Sequence, residues 1–374
     1  MKRLLYVAPA VLLMSFVPGV GFWGPVVLLV GLIFFHELGH FLVAKWMGLP
    51  VEVFSLGFGT RIWGFAWNET DVRISALPLG GYVRLAGYNP EEPDAEDPHG
   101  FLAQPAWKRL AFYAGGIIAN VIITVVIFFF IGVNNARTTA MTPVPSPLLV
   151  MDVLKGMPAA DAGLQPGDQI KTFGELKFPG NTNEEAIAYI RQRAGQAIPV
   201  TLEREGMNRA ITITPRNEGG TGKVGITFES SSWNYVRRPF RFTDMGPGAR
   251  FAVVGSAELG WEILANFGKL VSHKVSFKEV GGPITIVRAG SRAAKAGWLQ
   301  YMGLIALISM NLAVLNALPI PFLDGGHAAL LAFEKIRGKD LSNLVKERIL
   351  TGGFIFIVGL FALIMFQDLW KLRH

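Results

Sequence analysis

The sequence predicts a polytopic α-helical membrane protein with about four core transmembrane helices plus one at the N-terminus, a membrane-associated β-hairpin and an extracytoplasmic α/β domain. Hydrophobic residues make up 51% of the 374 residues, and charged residues only 17%. That balance is far from the composition of ordinary soluble proteins. Several stretches long enough to cross a bilayer contain almost no charge. The lipid bilayer is therefore the first partner that the sequence predicts.

The net charge of +7 is better explained by membrane topology than by nucleic-acid binding. Lys and Arg are spread through the loops and form no basic motif interleaved with aromatic residues, so no nucleic-acid partner is predicted. The chain has no cysteine, which excludes disulfides and thiolate zinc sites. Any zinc must therefore use histidine and carboxylate ligands.

Residues 1–24 form a hydrophobic extension that allows three interpretations. A basic start precedes an apolar run over residues 4–17, and a run of about 14 residues is short for a bilayer span. We favour a short additional helix that ends at Pro18. The alternatives are a signal peptide, for which no small-residue cleavage site is evident, and an interfacial or packed segment.

Residues 25–50 are predicted to form a transmembrane helix that carries a metal site. Glu37 is the only charged residue in the apolar run between positions 4 and 44, and a lone carboxylate at bilayer depth indicates a functional site. His36 and His40 lie one helical turn apart, so both imidazoles can bind one metal with Glu37 beside its open position. This is the HExxH pattern of zinc hydrolases. The alternative, two core histidines and a stray Glu, would leave three polar side chains in hydrocarbon without partners.

Residues 51–107 are predicted to form a membrane-associated β-hairpin followed by an acidic, proline-rich loop. Apolar and polar residues alternate over 60–67 and 71–77, on either side of a polar turn at 68–70, which is the pattern of paired strands. Glycines at bends allow the backbone to approach another group closely. Four glycines interrupt the pattern: Gly57, Gly59, Gly80 and Gly81.

Residues 108–136 are predicted to form a second transmembrane helix, because no charge occurs between Arg109 and Arg137. Gly116 and Asn120 lie one turn apart on it, so a small residue and a polar amide share one face. Close approach of another helix and close approach to a site explain this pair equally well.

Residues 147–230 are soluble in character and are predicted to form a compact α/β domain. Strand patterns occur at 148–154, 198–203 and 209–214, and a helical pattern occurs at 183–193. The domain contains no histidine, so no second metal site is predicted there.

Residues 231–296 are predicted to form an amphipathic region after this domain. Within them, residues 251–270 carry apolar side chains at mixed helical spacing, a pattern that would suit a helix lying on the membrane.

Residues 297–330 combine a third core span with the segment expected to supply the third metal ligand. Pro319 and Pro321 must break the helix, and irregular backbone at membrane depth occurs only where protein buries it or a water cavity touches it. A catalytic zinc takes three protein ligands and one water. Asp324 follows this break, and pairing with the histidines through zinc would neutralise its charge. The alternative is that Asp324 caps a helix beginning at Gly325.

Residues 331–374 are predicted to hold a cytoplasmic loop and the last transmembrane helix. The loop at 332–348 contains five Lys or Arg residues, and Lys45 and Lys108 flank the hairpin segment. The positive-inside rule therefore places these loops in the cytoplasm. The α/β domain, which lies between the second and third long spans, is then outside the cytoplasm.

The chain resembles the site-2 protease family, specifically the bacterial RseP-like intramembrane metalloproteases. Residues 158–170 are similar to the signature of a bacterial PDZ domain, and one such domain is present. The motifs that carry the resemblance to the proteases are His36-Glu37-x-x-His40, Gly116-x-x-x-Asn120, Asn316-x-x-Pro319-x-Pro321-x-Leu-Asp324-Gly-Gly, and Gly57-Phe-Gly59 with Leu79-Gly-Gly-Tyr82 around the hairpin.

The resemblance implies roles for the residues of these motifs. His36, His40 and Asp324 would bind Zn²⁺, and Glu37 would be the general base. The hairpin would present substrate as a membrane-embedded β element, and Asn316 would hold the substrate backbone near the metal. The substrate-binding residues implied in this way are Asn316, Pro319, Gly57, Gly59, Gly80 and Gly81.

The resemblance also implies a biological setting. The protein would be a zinc-dependent endopeptidase of the bacterial inner (cytoplasmic) membrane, acting in regulated intramembrane proteolysis and stress response. Its substrates would be single-pass membrane proteins already trimmed by a site-1 protease, such as anti-sigma factors, or signal-peptide remnants. We expect the PDZ-like domain to exclude bulky substrates. The alternative is a membrane-anchored PDZ scaffold or quality-control adaptor with a vestigial metal site, against which the intact Glu37 argues, since a structural zinc site needs no base.

Overall fold

The computed structural model describes residues 23–88, 97–143, 148–228, 233–273 and 281–373. These residues fall into two compact units, one made of the described parts of 1–136 and 241–374 and the other of residues 137–240. Nearly all of the predicted N-terminal extension lies outside the described residues, so the fifth crossing stays a prediction.

Four helices of the first unit are long and apolar enough to cross a membrane. The α-helices of the described chain are α1 (Trp23–Trp46), α2 (Ala106–Arg137), α3 (Pro158–Asp161), α4 (Asn183–Gln192), α5 (Met245–Val271), α6 (Pro283–Ala296), α7 (Trp298–Ala317), α8 (Asp324–Arg337) and α9 (Asn343–Arg373). The four candidate spans are α1, α2, α7 and α9. They correspond to the four core spans that the sequence predicts.

The segment between α7 and α8 is irregular, as its prolines predict. Helix α7 ends at Ala317, and Leu318 already has an extended backbone, because the residue before a proline is driven out of the helical region. Helix α8 then begins at Asp324 itself, with Leu323 in the N-cap position and no capping hydrogen bond from a side chain. The alternative in which Asp324 caps a helix beginning at Gly325 is therefore wrong.

Helix α6 is fixed to α9 through its N-terminus. The carboxylate of Asp368 on α9 accepts hydrogen bonds from the backbone N–H groups of Gly282, Ile284 and Thr285 at 3.2, 3.0 and 3.1 Å. These N–H groups have no partner within the helix, and a carboxylate at that end also complements the helix dipole. The predicted amphipathic region thus contains two helices, of which α5 includes residues 251–270.

The predicted hairpin forms a sheet that is longer and wider than the sequence indicates. Its strands are β1 (Val51–Trp67) and β2 (Thr70–Leu85), and Trp67 pairs with Thr70 across the predicted turn. Residues 53–56 of β1 pair with two stretches of β2, 71–74 and 81–84. The first half of β1 therefore lies between two parts of β2. This arrangement needs sharp reversals within the strands, which the glycines allow: Gly57 and Gly80 have φ angles of +93° and +151°.

The sheet packs against α1 through aromatic side chains. The rings of Phe41 and Phe54 lie 4.9 Å apart, and those of Phe41 and Trp67 lie 5.3 Å apart. Phe41 is completely buried and Phe54 is 2% exposed. Because these rings pack closely, the contact fixes the sheet beside the helix that carries the HExxH motif.

The second unit is an antiparallel β structure with two helices. Its described strands are β3 (Thr138–Pro143), β4 (Leu148–Val153), β5 (Gln169–Phe173), β6 (Leu176–Lys177), β7 (Ile198–Arg204), β8 (Met207–Ile213), β9 (Arg216–Glu218), β10 (Thr221–Lys223), β11 (Ile226–Phe228) and β12 (Trp233–Arg237). The main sheet has the strand order β11-β4-β5-β7-β8, with β6 beside β5, and a separate pair joins β3 to β12. A further two-stranded sheet contains β9 and β10.

The strands and the helix predicted between residues 148 and 214 are confirmed to within a few residues of their ends. The compact unit, at 137–240, is longer than the predicted domain of 147–230, because β3 and β12 pair with each other outside those bounds. Within the unit, the buried carboxylate of Asp168 accepts two hydrogen bonds from Arg204, at 2.6 and 2.7 Å. This bidentate pair ties the loop before β5 to β7.

Candidate active site

Three predicted ligands from two distant parts of the chain converge in the first unit. The Oδ2 atom of Asp324 lies 3.2 Å from Nε2 of His36 and 3.3 Å from Nε2 of His40. The two Nε2 atoms are 3.3 Å apart. The histidines face one way because they lie one turn apart on α1, and the proline break brings the first residue of α8 opposite them.

This group has the geometry and the chemistry of a metal site. Its three ligand atoms all lie within 4.8 Å of one another. The Oδ2 atom of Asp324 is buried without a hydrogen-bond donor among the described residues, and its close neighbours are the two imidazole nitrogens. Two imidazole nitrogens and one carboxylate oxygen are a donor set of catalytic zinc, which keeps its fourth position open. The residues therefore fit Zn²⁺.

Glycines allow α1 and α2 to cross at the metal group. A Cβ atom on Gly39 would lie 2.3 Å from the carbonyl oxygen of Gly115, so the two backbones touch. A Cβ atom on Gly116 would lie 2.4 Å from Nε2 of His40 and 2.6 Å from Cε1 of His36. Of the two explanations for Gly116, the structure thus favours close approach to the site, while its neighbour Gly115 makes the helix–helix contact.

The outer nitrogens of both imidazoles have partners on α2. The Nδ1–H of His40 donates to the backbone carbonyl of Phe112 at 2.8 Å, which leaves Nε2 free to bind a metal. Nδ1 of His36 lies 3.1 Å from the side-chain amide of Asn120, which is completely buried. The Phe112 contact has no signal in the sequence, because it comes from the backbone. Asn120 could be singled out from the sequence, because it lies one helical turn from Gly116.

Glu37 lies between the metal group and the β-sheet. A Cβ atom on Gly81 would lie 2.7 Å from Cγ of Glu37 and 3.0 Å from the carbonyl oxygen of Ser55. Gly81 pairs with Leu56, so the strand segment that begins at Gly81 runs beside Glu37. The side chain of Glu37 is half-buried, and the residue lies between the two histidine ligands in the sequence of α1.

The other glycines predicted to bind substrate have local roles in the sheet. A Cβ atom on Gly57 would lie 2.8 Å from the carbonyl oxygen of Leu77, and one on Gly80 would lie 2.3 Å from the ring of Phe58. Gly59 has a φ angle of +85° and open space around it. Of the four, Gly81 is the residue that the structure places against Glu37.

Asn316 and Pro319 precede the ligand on α8, Asn316 at the end of α7 and Pro319 in the irregular segment after it. Asn316 is half-buried in the last turn of α7, and its side chain makes no hydrogen bond within the described chain. Pro319 is exposed in the irregular segment. His327, one turn after Asp324, is not part of the metal group, and its ring stacks on that of Tyr113 at 5.2 Å.

Comparison with known proteins identifies the family. The model of peptidase family M50, the site-2 protease family, matches residues 25–360. The chain belongs to this family. The match covers both ligand-bearing segments and the sheet between them, and it confirms the resemblance found in the sequence.

Relatives of similar length are provisionally named zinc metalloproteases. One, from Agrobacterium fabrum, is 32% identical over 94% of this chain and 96% of its own length. A second, from a Nostoc species, is 32% identical over 91% of this chain and 93% of its own. A third, from Brucella suis, is 30% identical over 90% and 92%. This chain is thus a multi-pass membrane metalloprotease that depends on zinc, which argues against the scaffold with a vestigial metal site.

One solved structure is similar to part of the chain. It is the PDZ domain of an SdrC-like protein from Listeria monocytogenes, with 28% identity over 22% of this chain and 87% of that domain. The TM-score is 0.20, which is too low to assign a fold.

Proposed function

We propose that this protein is an intramembrane protease that cleaves single-pass transmembrane proteins, with His36, His40 and Asp324 as zinc ligands and Glu37 as the general base. One observation carries the proposal: the ligand atoms of His36, His40 and Asp324 all lie within 4.8 Å of one another. The two histidines and Glu37 are on α1, a helix long and apolar enough to span a membrane. Ionisable residues at membrane depth mark functional sites, and a zinc donor set with a carboxylate beside it supplies the groups that peptide hydrolysis needs.

The chain's own residues divide the chemistry between them. Bound zinc would polarise the scissile carbonyl and lower the pKa of a bound water to about 7. Glu37 is placed to accept the proton of that water and to pass it to the leaving nitrogen. The hydrogen bond from His40 to Phe112 holds one ligand in the orientation that this requires.

The sheet is suited to present the substrate in an extended form. A helical substrate hides its carbonyl groups in hydrogen bonds to the residue four positions along, so it must be unwound before hydrolysis. Residues 81–84 pair with β1 on one side, and no other described strand pairs with their second edge. An extended segment can add to that edge, where Glu37 is in contact with Gly81. The side-chain amide of Asn316, which makes no hydrogen bond within the described chain, would hold the substrate backbone near the metal group.

The cellular setting is proposed from the charge distribution and the family resemblance. The protein would lie in the bacterial inner membrane with its PDZ-like unit outside the cytoplasm. It would act on proteins already trimmed by a site-1 protease, such as anti-sigma factors, or on signal-peptide remnants. The PDZ-like unit would exclude substrates with bulky external domains, a role that needs no metal ligand and no peptide-binding loop.

The membrane proteome of cells carrying Glu37→Gln tests this proposal. Single-pass fragments that lack an external domain should accumulate relative to cells with the unaltered protein, because trimming continues while intramembrane cleavage stops. Their identities would name the substrates. If no single-pass fragment accumulates, the proposed substrate class is wrong.

A further inference from the structure

Asn120 is the centre of a buried polar cluster between α2 and α7 that the proposed chemistry does not use. Asn120, Thr124 and Ser309 are all completely buried. The hydroxyl of Ser309 donates to the backbone carbonyl of Asn120 at 2.9 Å, and that of Thr124 donates to the same carbonyl at 3.1 Å. Two hydroxyls therefore hold the backbone of Asn120, while its side chain turns towards His36.

The side chain of Asn120 is within hydrogen-bonding distance of a metal ligand. Its Nδ2 atom lies 3.1 Å from Nδ1 of His36, and its Oδ1 atom is buried without a partner among the described residues. An amide and an imidazole can pair here in two ways: Oδ1 accepts a hydrogen bond from Nδ1–H, or Nδ2–H donates to an unprotonated Nδ1, which puts the ring proton of His36 on Nε2.

Metal binding requires the first of these arrangements. Nε2 of His36 must offer its lone pair to the ion, so the ring proton must be on Nδ1. Nδ1–H is a donor and needs an acceptor in a buried place. His40 already has one in the carbonyl of Phe112. The only side chain within reach of Nδ1 of His36 in the hydrogen bonds of the described chain is Asn120.

We propose that Asn120 is a positioning residue that selects the Nδ1–H tautomer of His36 by accepting its hydrogen bond at Oδ1. A half-turn of the amide exchanges Oδ1 and Nδ2 in nearly the same space. The amide can thus present Oδ1 to Nδ1–H of His36, and the two hydroxyls keep the backbone of Asn120 in place. A neutral acceptor fulfils this role without adding a third carboxylate to a site that already contains Asp324 and Glu37. The inference rests on the proposed zinc ligands.

Three variants of the purified, full-length protein in detergent test it by zinc affinity, measured in competition with a chromophoric chelator. Asn120→Leu removes the acceptor, and we expect zinc affinity to fall about 10- to 100-fold, as for other contacts to metal-bound histidines. Asn120→Asp keeps an acceptor and should retain zinc within a few-fold of the unaltered protein. Ser256→Ala removes a buried hydroxyl on α5 that makes no hydrogen bond within the described chain, so it should leave zinc affinity unchanged.

Two results with these variants would overturn the proposal. Asn120→Leu that is folded and binds zinc normally would show that His36 needs no acceptor. Asn120→Asp that loses as much affinity as Asn120→Leu would show that the amide acts as a donor. ¹⁵N spectra of histidine-labelled, zinc-loaded protein give a test without any substitution: the His36 proton is expected on Nδ1, and a proton on Nε2 would contradict the proposal. His36→Ala separates the two proposals, because normal zinc affinity in that variant would remove His36 from the proposed site altogether.

Discussion

Gly81 and Glu37 are in direct contact: a methyl group on Gly81 would lie 2.7 Å from Cγ of Glu37. The contact joins the only acidic residue of the HExxH helix to the strand segment that pairs with Leu56. Hydrolysis requires a base and a stretched peptide in the same place. Through this contact the chain places the proposed base beside the strand that would hold the stretched peptide. Even a change of Gly81 to alanine should disturb this arrangement.

Gly81→Ala should impair cleavage while zinc remains bound. The added methyl group must push either Glu37 or the strand away, and a misplacement of about 1 Å at a catalytic group costs on the order of 100-fold in rate. The measurement is cleavage of a single-pass substrate in proteoliposomes, together with the zinc content of the enzyme. Gly303→Ala is the matched control, because a Cβ atom at Gly303 on α7 has open space around it. Cleavage by Gly81→Ala at the unaltered rate would show that the strand does not constrain Glu37.

Asp324→Ala should weaken zinc binding as well as activity, because it removes one of three protein ligands and the charge that balances the metal. Zinc per protein after dialysis against a weak chelator is the measurement. Asp340→Ala removes an exposed carboxylate after α8 and should keep its zinc. Full zinc occupancy in purified Asp324→Ala would assign the carboxylate to a structural role.

Sequence reasoning found the residues that carry unusual chemistry and missed those whose role depends on proximity. His36, Glu37 and Asp324 are conspicuous because polar groups are costly in an apolar segment. The carbonyl of Phe112 is a backbone group, and the contact of Gly39 with Gly115 exists only once two helices cross. No local sequence pattern predicts the hydrogen bond to Phe112 or the contact between Gly39 and Gly115.

The sheet shows the same limit. Alternation predicted two strands and their turn correctly, because side-chain direction follows period two along each strand. The pairing of residues 53–56 with both 71–74 and 81–84 is a matter of tertiary register, which alternation does not report. The contact between Gly81 and Glu37 follows from that register. The glycine pattern therefore predicts a bend near Gly81 but not that Glu37 lies against it.

Removing the central part of the second unit should broaden the range of substrates. Pro143 at the end of β3 pairs with Trp233 at the start of β12, so residues 144–232 can be replaced by Asn-Gly, which favours a two-residue hairpin turn. If the unit excludes bulky substrates, this variant should cleave trimmed substrates as before and untrimmed ones in addition. Adding Glu37→Gln to the deletion controls for cleavage by other proteases. Loss of cleavage of trimmed substrates in a stably inserted protein would make the unit a docking site.

Reporter fusions test the proposed orientation. Reporters inserted at His99 and Ser342 should be cytoplasmic, because Lys and Arg are concentrated in the adjoining loops. A reporter inserted at Gly220, in the exposed turn between β9 and β10, should be external. Alkaline phosphatase and green fluorescent protein report the two sides in opposite ways and serve as controls for each other. The reverse pattern would contradict the orientation drawn from charge.

The most direct test of the central claim is to measure zinc content and cleavage together in purified Glu37→Gln. The amide cannot accept the proton of the bound water, while all three proposed ligands remain. We expect one zinc per protein, as in the unaltered enzyme, and a loss of about 100- to 10,000-fold in cleavage of a reconstituted single-pass substrate. Glu347→Gln, which changes an exposed Glu on α9, should cleave normally. Substantial cleavage by zinc-loaded Glu37→Gln would show that Glu37 is not the base and would contradict the account.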